Sequence, residues 1–410
     1  MESTQAGTPA ALRRSNVAHL LRVIREHGPL SRGDLVQLSD LSKPTVRTGV
    51  EELLRADLVV ESAEPPEVSR SRPGPTPRLL RFNASHALVA GLDVGAAKML
   101  AVLSDLDGQT LAVARSATPT NATGRRLDQA VKSLLDKCLA HAAVGRGRLA
   151  AASIGTTGVV DRETGTVTFA PQLPGWQGRA VKPALEDLLG VPVLLENEAH
   201  LAMLGESWRG IATDVGDAVL IQFGVGVGMG ILIGGEIYRG AKGAAGEIGY
   251  LPIGDTVNTP EGGPGRFETT VGSLAISRHM ARASTGAGRR VRGSSENAQR
   301  RDVSAAEVFA RASEGDRAAQ QAIGDVLSYL AAGLAAVSAV LNPELIVLGG
   351  GLAASLAPHV ERLQAELLRR VPAGPRVQLS ALGDSAVAVG AVKRAVTFAE
   401  TGLFDAISLA

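Results

Sequence analysis

Three short stretches hold most of the chemistry that the residue types allow. Gly91-Leu-Asp-Val-Gly-Ala-Ala-Lys98 gathers Asp93, Gly95 and Lys98, and Gly224-Val-Gly-Val-Gly-Met-Gly230 gathers Gly224, Gly226 and Gly228. Glycine lets backbone amides approach phosphate oxygens or a sugar ring at positions where a Cβ would collide. Either stretch alone reads equally well as a β-hairpin turn. The third stretch, Ser42-Lys-Pro-Thr-Val-Arg47 followed by Thr48, points to nucleic acid. Arg47 suits a guanine edge, whereas Ser42, Lys43 and Thr45 suit backbone phosphates. Further on, Arg70, Arg72, Arg78 and Arg81 occur with no acid among them, a concentration suited to phosphate contacts.

These side chains need elements to hold them. Val17, Leu20, Leu21 and Ile24 recur at helical spacing, which predicts a first helix over residues 15–28. Ser31 with Asp34 resembles a capping box for a short second helix, and Ser42 can cap a third. In that third helix Val46, Val50, Leu53 and Leu54 face inward, leaving Lys43, Thr45, Arg47 and Thr48 outside. Leu58-Val59-Val60 and Arg78 to Phe82 read as the two strands of a wing with a mobile tip. A helix-turn-helix with a wing suits the major groove; a three-helix dimerisation or lid module is the alternative. A boundary near Asn83 divides the chain into residues 1–83 and 84–410. The second part alternates strand and helix patterns, and its openings at Leu88 and Val219 resemble the halves of a duplicated α/β fold. Residues 286–302, with five arginines, read as a solvated loop.

Composition sets the frame. A chain of 410 residues with 45% hydrophobic and 20% charged residues predicts a well-packed protein of two or three domains. The formal net charge of +1 favours no partner globally, so any basic surface must be local. The single cysteine, Cys138, excludes an internal disulfide and a cysteine zinc cluster, and is expected as a buried small hydrophobe. Met1 to Arg14 has no apolar signal-peptide stretch, and no run of about 18 apolar residues suggests a membrane span. A cytoplasmic location is expected.

The motifs together resemble the ROK family of repressors, open reading frames and sugar kinases. Gly91 to Lys98, Ile154 to Asp161, Ala170-Pro-Gln-Leu-Pro-Gly-Trp176, Glu196-Asn-Glu-Ala-His200, Gly224 to Gly230, Gly240 to Gly249, and Asn342 to Gly351 with Gly349 and Gly350, occur in family order. The N-terminal part resembles the repressor branch. The resemblance implies an actin-like, ribonuclease H-like sugar-kinase fold, duplicated, behind an α-helical winged helix-turn-helix. It also implies that Asn197, Glu198, Glu247 and Glu268 bracket sugar hydroxyls.

Departures from the family pattern bear on mechanism. Kinase members usually carry Asp at the position of Glu198, as base on the attacking hydroxyl. A side chain one methylene longer misplaces the carboxylate, leaving a degenerate base position and no catalytic residue. Ala96, Ala97 and Val225 stand where hydroxyl or glycine residues are usual, which argues against phosphoryl transfer. The family's cysteine zinc element aligns with Thr259 to Glu268, and Tyr250 replaces a histidine, so no metal and no cofactor is expected. Tyr250 either touches a sugar hydroxyl or fills the vacated position. The reading that follows is a regulator binding operator DNA and a small carbohydrate or sugar phosphate, as a homodimer or homotetramer with no membrane partner. An active ATP-dependent sugar kinase and a ligand-independent scaffold are the alternatives.

Overall fold

The computed structural model describes residues 9–62, 78–254, 263–285, 303–372 and 374–409. The chain opens with α1 (Pro9–His27), β1 (Leu30–Ser31), α2 (Arg32–Ser39), α3 (Lys43–Arg55), β2 (Val59–Ser62) and β3 (Leu79–Phe82). The capping box forms: the Ser31 hydroxyl accepts from the Asp34 amide, and the Asp34 carboxylate accepts from the Ser31 amide at 3.0 Å. Ser42 caps α3 by accepting from the Thr45 amide. Val46, Val50 and Leu53 then bury against Val17, Leu20, Leu21 and Ile24. The expected two-stranded wing is a three-stranded sheet, because Leu30 and Ser31 pair with Leu80 and Leu79. A two-residue strand is too short for any periodicity to announce it.

Two α/β halves follow. The first contains β4 (Leu88–Val94), β5 (Lys98–Asp105), β6 (Thr110–Ala117), α4 (Gly124–His141), β7 (Leu149–Thr156), β8 (Val159–Asp161), β9 (Thr166–Phe169), β10 (Arg179–Ala180), α5 (Val181–Leu189), β11 (Val193–Asn197) and α6 (Glu198–Arg209). The second contains β12 (Ala218–Phe223), β13 (Val227–Ile233), β14 (Glu236–Ile237), α7 (Glu268–Val271), α8 (Ser273–Thr285), α9 (Ala305–Ser313), α10 (Arg317–Leu341), β15 (Leu345–Gly349), α11 (Val360–Leu368), β16 (Arg376–Leu379) and α12 (Ala386–Leu409). The sheets run β6-β5-β4-β7-β11 and β14-β13-β12-β15-β16. In each, an antiparallel meander of three strands continues into two strands parallel to its first, so the duplication is one of topology. Every residue of β4 is buried, as a strand covered on both faces requires.

Helices α6 and α12 join the halves. Leu201 and Met203 of α6 and Val387 and Ala391 of α12 share one apolar cluster with Leu220, Leu232 and Val347 of the second sheet. Their crossing is closed by glycine: a Cβ on Gly390 would stand 1.8 Å from the Leu201 carbonyl oxygen. Another cluster carries the N-terminal unit, joining Leu20, Leu80 and Phe82 to Leu100 and Val102 of β5 and to Val392, Val396 and Ala399 of α12. The expected division at residue 83 therefore falls in a turn that apolar packing crosses. Helix α10 is long and apolar enough by length and mean hydropathy to span a membrane, but half of its apolar window is buried in the second half's core. Cys138 is buried, as expected.

Candidate functional site: a two-part cleft and an exposed helix

Strand ends from both halves converge on a cleft with two parts. One part is built from glycine turns: Asp93, Gly95 and Lys98 from the β4–β5 turn, Gly224 and Gly226 from the β12–β13 turn, and Gly350 after β15. The other is acidic, with Asn197, Glu198, Gly228, Glu247, Tyr250 and Glu268 around it. Thr157, Gln172, Glu198 and Gly226 line both, so Glu198 stands at the junction. Two expected residues are placed differently. Gly228 belongs to the acidic part, and Gly349 remains inside β15, where a Cβ would meet Gln222 and Leu220. Glycine spacing locates a turn but does not say which of its residues faces the cavity.

The side chains are already partly engaged. The Asn197 side-chain oxygen accepts from the amides of Ala199 and His200, and its Nδ2 donates to the Gly158 carbonyl at 2.9 Å. Asn197 is therefore first a helix cap that fixes the β11–α6 corner. Glu268 accepts from the Val227 amide at 3.2 Å. Tyr250 donates its hydroxyl to the Gly263 carbonyl at 2.9 Å, and its ring meets Phe169 edge-on at 5.9 Å. Lys98 forms an ion pair with Asp384 at 2.5 Å, so an incoming phosphate would compete with that carboxylate.

Electrostatics set the cleft apart. Glu198 is partly covered at the junction of the two parts; burial, with the charges of Asp93 and Glu247, pushes its carboxyl up to about 8. Burial, and next the charge of Asp384, pushes Asp93 up to about 7 against the pull of Lys98. Burial and Glu268 raise Glu247, burial raises Glu268, and burial with both glutamates lifts Tyr250 to about 12. One Asp93 carboxyl oxygen and the Thr157 hydroxyl are buried without a hydrogen-bond partner. Carboxyls near neutrality both donate and accept, and a polyol offers each of its hydroxyls in both roles.

Sequence reasoning missed the support beneath this corner. Glu196 is 2% exposed and accepts from Arg239 at 2.7 Å and from Arg394, while His200 Nδ1 lies 3.3 Å from its other oxygen. Burial opposes ionisation of Glu196, but His200, Arg394 and Arg239 together hold it far below the usual carboxylate range. His200 Nε2 reaches the Ala245 carbonyl at 2.9 Å, two residues before Glu247. The network thus ties both acid-bearing segments together. The spacing of Glu196 and His200 was a visible signal; Arg239 and Arg394 had none.

On α3, Ser42, Lys43, Arg47 and Thr48 are exposed and Thr45 is half-buried, leaving one face open. Arg78, expected on phosphate, instead donates to Glu61 at 2.9 Å, and Arg32 approaches the same carboxylate at 2.7 Å. These bonds hold Glu61 below its ordinary value. Arg70, Arg72 and the 286–302 loop lie outside the described residues, as do Thr259 and Glu261. Among the described residues no three His, Cys, Asp or Glu side chains form a group that could hold a metal ion.

Comparison with known proteins follows the same division. The ROK family profile matches residues 89–397. A xylose repressor of Caldicellulosiruptor bescii is 26% identical over 397 residues, 95% of this chain and 98% of that protein. A glucokinase of Halalkalibacterium halodurans is 30% identical over 317 residues, 73% of this chain and 92% of that protein. Among solved structures, a ROK family transcriptional regulator homologous to the E. coli MLC protein shares the fold with a TM-score of 0.73 at 24% identity, over 97% of this chain and 99% of that one.

Proposed function

The chain belongs to the ROK family, and from that membership we propose that it is a sugar-responsive, DNA-binding transcription regulator of carbohydrate genes, a repressor acting in the cytoplasm. The observation that carries this reading is the course of α12. Val387, near its start, lines the glycine part of the cleft. Glu400, thirteen residues on and so about 20 Å away along the helix, accepts from Arg25 of α1 at 2.7 Å. Arg25 also donates to the Leu106 carbonyl at 2.9 Å, and Arg22 stacks over the Phe404 ring at 5.3 Å. One rigid element thus borders the cleft at one end and holds the DNA-binding unit at the other.

In this reading Glu198, Glu247 and Glu268 receive sugar hydroxyls, with Asn197 and the Glu196 network positioning them. A sugar that prefers one relative placement of the halves biases α12, and with it the orientation of α3. Linkage requires that DNA alter sugar affinity by the same factor. Xylose is the first ligand to test, because relatives over nearly the whole chain are named xylose repressors. The test is a fluorescence titration of DNA selected from random duplexes by the purified protein, with and without pentoses and hexoses. Sequence-selective binding that a sugar shifts supports the reading; sugar-independent binding rejects it.

A sugar kinase is the second reading, favoured by the glucokinase relative at 30% identity. We place it second because Glu198 stands where the resembled kinases usually carry Asp, so that its carboxylate sits one methylene further along the side chain, and because Lys98 is engaged by Asp384. ATP turnover with a hexose at about 1 per second or faster would reverse that order.

A further inference from the structure

A second cavity, of about 980 Å3, opens between the β8–β9 hairpin, β11, and the loop after β14. It shares no lining residue with either part of the cleft. Its size is at the upper end of small-molecule sites, roughly 300–1,000 Å3. Five cations line it: Arg162, Lys182, Arg239, Lys242 and Arg394. The compensating charge is smaller: Asp161 and Glu163 also line the cavity, and Lys182 pairs with Glu186 at 4.0 Å. Arg239 and Arg394 share a single carboxylate oxygen of Glu196. Asp161, on the wall, is turned into its own loop and accepts from the amides of Glu163 at 2.9 Å and Thr164 at 3.3 Å. Arg162 and Lys242 are exposed and have no hydrogen bond or ion pair among the described residues. Burial, reinforced by repulsion from Arg162 and Arg239, holds Arg394 below the ordinary arginine range in spite of Glu196. Positive charge is thus concentrated, partly desolvated and incompletely paired.

We propose that this cavity is a second ligand site, taking a small phosphorylated metabolite. Arg162 and Lys242 at the rim would capture the phosphate, and Lys182 with the open edges of Arg239 and Arg394 would receive it deeper in. Guanidinium forks match phosphate oxygens two at a time, and the low dielectric around Arg394 strengthens each contact. The site does not depend on the cleft being a sugar sensor. It does reach α12, since Arg394 lies between Val387 and Glu400 on that helix.

The test is calorimetric titration of the full-length protein with inorganic pyrophosphate, glucose 6-phosphate and citrate near physiological ionic strength. Four proteins are compared: the wild type, the Arg162→Ala/Lys242→Ala double variant, Lys182→Ala and Glu247→Ala. Both phosphate compounds should bind the wild type more tightly than citrate does. The double variant should lose about tenfold or more in phosphate affinity, and Lys182→Ala a smaller factor. Unchanged thermal melting would verify that the fold is intact, which the exposure of Arg162 and Lys242 favours. Glu247→Ala should bind pyrophosphate as the wild type does, so a failure of the cleft reading leaves this result unaffected. The proposal is overturned if neither phosphate compound binds at millimolar concentration, if citrate binds in their place, if the double variant binds equally well, or if Glu247→Ala abolishes binding.

Discussion

Asp93 and Glu198 both line the glycine part of the cleft, where burial and neighbouring acids push them up to about 7 and about 8. Both exceed the values of free side chains, so the folded state holds protons that the unfolded chain releases. The stabilisation this gives is complete below about pH 4 and is lost as pH rises through 7 and 8. Glu198→Gln removes one of these groups while keeping its shape, so thermal melts should show the variant gaining on the wild type from pH 5 to pH 9. A difference independent of pH would place the Glu198 carboxyl in water. Glu196 behaves oppositely: its depressed value means that its contribution is present throughout neutral pH and fails only in strong acid. Glu196→Gln breaks a buried pair and should cost about 3–5 kcal/mol in denaturant unfolding, because Arg239 and Arg394 lose their shared partner. The acids that line the cleft were legible in the sequence as motif members. Their protonation was not, since it depends on burial and on charges brought together from distant parts of the chain, as Asp384 is to Asp93 and Glu247 to Glu198.

At the scale of elements, α3 and α12 divide the work. Arg47 is exposed on α3, beyond the Ser42 cap, and Arg47→Ala should weaken selected DNA by about 1–3 kcal/mol without altering the melting temperature. Equal affinity of variant and wild type would remove α3 from the groove. Arg25 links α1 to Glu400 of α12, and Arg25→Ala should reduce the sugar's effect on DNA affinity while sugar affinity stays unchanged. Parallel titrations of sugar and DNA separate the two quantities, and an undiminished sugar effect would exclude this contact as the relay. The helices of the N-terminal unit could be read from apolar spacing and caps, because their stabilisation is local. Strand β1 could not, having only two residues, and the engagement of Arg78 by Glu61 required the sheet to bring them together. Both half-fold openings were visible at their glycine turns, whereas the matching strand orders emerge only from long-range pairing.

For the whole molecule, the proposed homodimer or homotetramer would present two α3 helices about 34 Å apart to a two-fold DNA site. The apolar cluster that fastens the N-terminal unit to β5 and α12 makes each DNA-binding unit follow its own body, so a change at the cleft becomes a change in spacing. The central claim is that the acidic part of the cleft is the sensor. It is tested most directly by the affinity of selected DNA measured with and without the activating sugar, in the wild type and in Glu247→Ala. The account predicts that the variant binds DNA like the ligand-free wild type and no longer responds to the sugar. A sugar response of equal size in both proteins would contradict it.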